Sequence, residues 1–163
     1  KTVKINACKI DTVAVRIPSW CGKFKINSEY VLKDGYAYIE NKSQEIIIEF
    51  EIEPVLIQAN GKVADCANKV ALTRGPVVYC MESVDNGKNL KQISVCTTLN
   101  AKYYYDEKNK FYKISVDGFR AENNDERLYM PLKNSLKKTR VEFIPYYAFA
   151  NRGETDMRVW ISY

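Results

Sequence analysis

The feature that most constrains this chain is a two-residue alternation of apolar and polar side chains that recurs almost throughout. Val13, Val15 and Ile17 alternate with Thr12, Ala14 and Arg16. The run Glu45–Ile52 reads EIIIEFEI, which puts Ile46, Ile48, Phe50 and Ile52 on one face and Glu45, Glu49 and Glu51 on the other. That is the signature of a half-buried strand, because successive side chains on a strand point to opposite faces. No stretch sustains a 3.6-residue period. Short strands are expected at Phe24–Ile26, Glu29–Leu32, Tyr36–Glu40, Val55–Gln58, Val77–Glu82, Ile93–Cys96, Lys102–Tyr105, Phe111–Val116, Leu128–Leu132, Arg140–Ile144 and Met157–Tyr163, with a shorter one around Val70 and Leu72. Asp34-Gly35, Asn60-Gly61, Asp106–Asn109 and Asp117-Gly118 supply the turns. Many short strands joined by such turns predict an all-β fold of antiparallel sandwiches, since a lone hairpin is marginal in water.

A chain of 163 residues holds one domain or two small ones. Asn60-Gly61 is the expected boundary: residues 1–60 form part of a first β-sandwich, truncated at its start, and residues 61–163 a second. The chain opens on Lys1 and its earliest methionine is Met81, so a piece of a longer or processed protein is expected. Nothing near the start has the apolar core of a signal peptide, and no run is long enough to span a membrane.

The sequence contains no histidine. This removes Ser-His-Asp and Cys-His catalysis, His-bearing zinc sites and imidazole switches. The five cysteines, Cys8, Cys21, Cys66, Cys80 and Cys96, are irregularly spaced with no CxxC, which predicts reduced, mostly buried thiols and a cytoplasmic location. A net charge of +5 is mild. The densest basic cluster, Lys133, Lys137, Lys138 and Arg140, belongs to no nucleic-acid module and reads as a solvated loop. Asn41-Lys42-Ser43 matches a glycosylation sequon at an expected turn.

Four segments carry more information. They are Val15-Arg16-Ile17-Pro18-Ser19-Trp20-Cys21, Asp65-Cys66 followed by Lys69 to Cys80 (KVALTRGPVVYC), Ile144 to Gly153 (IPYYAFANRG), and Met157-Arg158-Val159-Trp160. Their order and spacing resemble the C-terminal part of the bacterial β-L-arabinofuranosidases of glycoside hydrolase family 127, with Phe149 in place of the usual Trp. The resemblance implies an upstream (α/α)6 barrel carrying the catalytic cysteine and a zinc site, followed by β-sandwich domains. No segment here resembles that site. The chain is therefore expected to be a non-catalytic accessory region of a glycoside hydrolase, with no catalytic residue, cofactor or metal of its own. Its expected partners are the barrel of the same polypeptide and a second protomer, with no nucleic acid and no membrane. The alternative is an autonomous carbohydrate-binding module.

Six residues are candidates for sugar or interdomain contact: Trp20, Arg74, Tyr146, Tyr147, Asn151 and Arg152. Aromatic rings stack on the apolar face of a sugar, while Asn and Arg bond its hydroxyls. The competing structural reading makes Trp20 a core plug and Arg74-Gly75-Pro76 a sharp turn whose Arg bonds carbonyls. Tyr103, Tyr104 and Tyr105 are consecutive, so the middle ring must face away from its neighbours. The carboxylates, among them Glu45, Glu49, Glu51, Glu53, Glu82 and Asp85, single out no catalytic pair.

Overall fold

The structure, a computed structural model, describes residues 2–6, 10–40, 45–122, 127–129, 131 and 135–163. The sequon at 41–43, Cys8 and Lys133 lie outside them. Contacts divide the chain into two units, Lys1–Glu53 and Pro54–Tyr163.

The first unit contains β1 (Thr2–Ile5), β2 (Thr12–Arg16), β3 (Phe24–Ile26), β4 (Tyr30–Lys33), β5 (Tyr36–Glu40) and β6 (Ile46–Phe50). They form two three-stranded antiparallel sheets, in the orders β1-β6-β3 and β2-β5-β4. The alternation of β6 places Ile46 and Ile48 inside, where they pack with Ile39 of the other sheet. Ile5, Val13, Val15, Ile26 and Phe50 complete this cluster from both sheets.

The second unit contains β7 (Pro54–Gln58), β8 (Lys69–Arg74), β9 (Val77–Glu82), a single helical turn α1 (Ser83–Asn86), β10 (Ile93–Val95), β11 (Lys102–Asp106), β12 (Phe111–Ala121), β13 (Leu136–Pro145), β14 (Met157–Arg158) and β15 (Ile161–Ser162). The pairings run β8-β9-β13-β12-β10-β15 and return to β8. Six strands therefore close into a ring, and closure leaves no raw edge within it. The expected antiparallel sandwich for this part holds as all-β, but the sheet closes on itself, and β10 pairs β15 in parallel. The last strand is what closes the ring, slotting between β8 and β10. The interior is filled by Val70, Leu72, Tyr79, Met81, Ile93, Val95, Ile114, Val116, Val141, Phe143 and Ile161.

Several local expectations shift for identifiable reasons. Val55–Gln58 pairs with Ala71–Thr73 and its neighbours in β8, so β7 belongs with the residues after Asn60-Gly61 rather than before. Asp117-Gly118 is not a turn: β12 runs straight through it to Ala121. A Cβ on Gly118 would lie 2.4 Å from the Ser94 carbonyl oxygen and 2.7 Å from Val141 Cγ2, so glycine here permits the close approach of β10. Leu128 and Tyr129 sit in a bend with nearly full exposure, not in a strand. Among the described residues no helix is long and apolar enough to cross a membrane.

Candidate functional site

Two clusters in the second unit bring chemically capable side chains together. The first lies at one end of the ring. Arg74 closes β8 on the interior face, in register with Val77 of β9. Its guanidinium carbon lies 4.6 Å from the Tyr103 ring centroid and 5.5 Å from that of Tyr112, within the range of a cation–π contact. Arg74 also bonds the hydroxyl of buried Tyr79; burial raises that phenol's pKa, with Arg74 opposing and Tyr147 adding to the rise. Tyr105 and Tyr112 are directly opposed across the β11–β12 hairpin, with ring centroids 5.1 Å apart. Tyr103, Tyr105 and Tyr112 thus share one face, each about two-fifths exposed. Tyr104 points the other way, as strand alternation requires, and donates to Glu142 Oε2 at 2.9 Å. The third ring of the face is Tyr112, which follows from folding the sequence across Asp106–Asn109 but not from reading Tyr103–Tyr105 alone.

The second cluster fixes the IPYYAFANRG segment. Arg152 donates from Nη2 to Glu82 Oε2 and, from both terminal nitrogens, to the two carboxylate oxygens of Asp85. Lys113 lies 2.9 Å from Asp85 and 3.6 Å from Asp106. Glu82 has no exposed surface, and its Oε1 accepts the backbone N–H of Ala150 at 2.8 Å. Ala150 has φ of +60°, a left-handed conformation that costs a non-glycine residue about 1 kcal/mol, so the carboxylate secures a strained turn. Burial works against ionised Asp85, yet hydrogen bonds from Arg152 and Lys113 outweigh it and hold the carboxyl below its ordinary pKa. The bonds of Arg152 to Asp85 first, and to Glu82, raise its own pKa further against burial. Cys80 lies beneath this cluster, where burial first and the charge of Glu82 second push its thiol up to about 12.

The six candidate residues separate accordingly. Arg74 and Tyr147 approach each other through Tyr79. Tyr146 and Tyr147 stand on a 3-10 turn, Tyr146–Ala148, with their rings exposed. Asn151 is exposed in the turn that follows. Arg152 is mostly buried and spends both terminal nitrogens on Glu82 and Asp85. Trp20 lies in the first unit, in a turn after β2 has ended at Arg16, with its ring centroid 6.4 Å from that of Phe50 and partly exposed. Sequence reasoning did not single out Glu82, Asp85 or Lys113 as a set. The one signal for Glu82 was a carboxylate closing the apolar strand VVYCME.

Comparison with known proteins gives a consistent result. The model of the glycoside hydrolase family 127 C-terminal domain matches residues 54–162. The chain is 27% identical to a non-reducing end β-L-arabinofuranosidase of Bifidobacterium longum subsp. longum, over 98% of this chain and 27% of that protein. It superposes on the crystal structure of a family 127 β-L-arabinofuranosidase from Geobacillus stearothermophilus T6 with a TM-score of 0.84 and 32% identity, covering 99% of this chain and 27% of that one. A second solved β-arabinofuranosidase of the family gives a TM-score of 0.74 at 26% identity, over 99% and 28% of the two chains. The chain thus spans little more than a quarter of the length of these relatives.

Proposed function

This chain belongs to glycoside hydrolase family 127, whose C-terminal domain it carries over residues 54–162, and from that membership we propose that it is the non-catalytic C-terminal region of a bacterial β-L-arabinofuranosidase-like hydrolase. The observation that carries this reading is one of proportion. Nearly all of this chain superposes on relatives of which it covers only 27 to 30%. The chemistry, in this reading, resides in the part of such proteins that this chain does not cover.

The zinc implied by the family resemblance does not fit the residues present. Among the described residues no three carboxylate, thiol or imidazole groups converge on one point. Glu82, Asp85 and Asp106 instead direct their oxygens at Arg152 and Lys113. We assign the metal, with the catalytic groups, to the upstream barrel. Residues 1–53, with two sheets on one apolar cluster, serve as a sandwich unit of their own. The four described cysteines are free thiols, which supports a cytoplasmic location.

The role of the chain is to pack against the catalytic part of the same polypeptide. The clamp on Arg152 presents Tyr146, Tyr147 and Phe149 as a fixed, exposed aromatic group, and aromatic side chains held rigid are the commonest anchors of protein interfaces. Amide hydrogen exchange tests this. Residues 146–149 should gain protection in a longer polypeptide that includes the upstream part, relative to the 163-residue chain alone. Equal exchange in both would contradict the packing. The exposed Tyr103, Tyr105 and Tyr112 favour a second reading, a carbohydrate-binding module, which calorimetric titration of the chain with arabinan oligosaccharides tests.

A further inference from the structure

The guanidinium groups of the second unit are not employed alike. Among the described residues, Arg140 is paired with Asp117, Arg152 with Glu82 and Asp85, and Arg120 donates to the backbone carbonyls of Asn86 and Lys88. Arg74 has no carboxylate among them. It lies over the rings of Tyr103 and Tyr112, bonds the Tyr79 hydroxyl, and keeps a buried Nε with no acceptor. The cation is thus held in place by rings while its charge stays unmatched. Beside it stands exposed Tyr105, whose ring centroid is 5.1 Å from that of Tyr112 and which has no described cation over its face. We propose that this face binds a uronic acid unit of an acidic polysaccharide, its sugar ring stacked on Tyr105 and its carboxylate paired with Arg74. The proposal rests on the second reading above, the carbohydrate-binding module, and gives that module its ligand class.

The ligand class follows from what the face offers. A uronic acid carries an apolar C–H face and a carboxylate on one rigid ring. Those two features meet an aromatic ring and a guanidinium set side by side. A neutral sugar brings only hydroxyls to Arg74, and a charge-assisted hydrogen bond is roughly twice as strong as a neutral one. A small free carboxylate meets Arg74 but gains nothing from Tyr105, and an exposed ion pair by itself contributes little. Lys102 and Lys113 lie on the opposite face of the β11–β12 hairpin with Tyr104, so Arg74 is the positive charge that serves the aromatic face. One fixed positive charge matches a monoanion better than a phosphate dianion. The face is also ordered before any ligand arrives. Tyr105 and Tyr112 are directly opposed across the hairpin, and Arg74 is braced over Tyr103 and Tyr112, so little side-chain freedom is lost on binding.

Titration calorimetry of the 163-residue chain tests this with four probes, each up to about 20 mM. They are the α-1,4-linked trimer of galacturonic acid, the same trimer fully methyl-esterified, sodium acetate, and a neutral arabinan oligosaccharide. The acidic trimer should bind with a dissociation constant on the order of 1 mM, and its ester and acetate at least about tenfold more weakly. Arg74→Gln should weaken the acidic trimer at least about tenfold and leave the ester as it was. Tyr105→Ala should weaken acid and ester by the same factor, because stacking does not depend on the charge. Circular dichroism and the melting temperature of each variant establish that it is folded; the comparison of acid with ester on the unaltered chain decides the matter without any variant. Equal affinity for acid and ester overturns the proposal, as does acid binding that folded Arg74→Gln retains in full. Acetate binding as tightly as the trimer overturns it too, by reducing the face to a simple anion site. Binding of the arabinan oligosaccharide without the acidic trimer overturns it while the carbohydrate-binding module stands. No heat from any of the four probes removes both. The hydrolase reading is untouched by every one of these outcomes.

Discussion

Arg152 Nη2 donates to Glu82 Oε2, joining a cation from the turn after Ala150 to a carboxylate with no exposed surface at the end of β9. The two residues are 70 positions apart in sequence. Removing one member of such a buried pair strands the other, at a cost of about 3 to 5 kcal/mol. Arg152→Met should therefore lower the urea-unfolding free energy of the second unit by that amount. Arg152→Lys should recover little of it, because a single ammonium cannot reach both Glu82 and Asp85 with the planar fork that guanidinium supplies. Unchanged stability in Arg152→Met would mean the clamp contributes nothing net.

The same cluster sets the acid response. The folded-state pKa of Asp85 lies below its unfolded value. Its stabilisation is thus complete above the unfolded pKa of about 3.9 and drains away as pH falls through the folded value. Asp106, held down by its bonds to Asn109, and Asp117, held down by its bond to Arg140, act in the same direction. Stability should be level from about pH 7 to pH 5 and fall below about pH 4. Asp85→Asn should flatten that fall. A variant profile parallel to that of the unaltered chain would remove Asp85 from the account.

Cysteine reactivity separates the thiols by environment. Cys80 is fully buried and its pKa is pushed up to about 12. Little thiolate forms there at neutral pH, so a disulfide reagent should modify it only on unfolding. Cys66 and Cys96 are partly exposed and should react first, in the native chain. Mass spectrometry after limited labelling reads the order. Early modification of Cys80 would contradict the packing under the Glu82 cluster.

Gly118 tests how closely β10 and β12 approach. Gly118→Ala puts a methyl group against the Ser94 carbonyl and the Val141 side chain, inside contact distance of both. The change should cost about 1 to 3 kcal/mol, read as a lowered melting temperature. Gly22→Ala, where an added Cβ meets nothing within 4 Å, is the control and should change little.

Strand positions were legible because burial on one face leaves a period-two trace, as in β6, where Ile46 and Ile48 sit inside and Glu49 outside. The ring closure was not legible. A strand in a closed ring and a strand in two stacked sheets both need one apolar and one polar face, so the pattern of Val70, Leu72, Ile93 and Val95 serves either arrangement. What decides is the insertion of Ile161–Ser162 between Ser94 and Lys69–Val70, a pairing between distant segments with no local signal. The extent of β12 was hidden for a similar reason: Asp117-Gly118 is a turn signal locally, and only the neighbouring strand explains the glycine. The tyrosines at 103–105 and 146–147 announced themselves by composition, whereas the Glu82–Arg152–Asp85 clamp joins residues that nothing in the linear sequence connects.

The central claim is the proposal that the reactive groups of the longer hydrolase-like protein lie outside this 163-residue chain. Release of arabinose from a synthetic β-L-arabinofuranoside measures it directly, comparing the purified chain with a longer polypeptide that contains it. The account predicts turnover by the longer polypeptide and none by the chain alone at equal molar concentration. Sustained hydrolysis by the isolated 163-residue chain, abolished when the chain is unfolded, would contradict it.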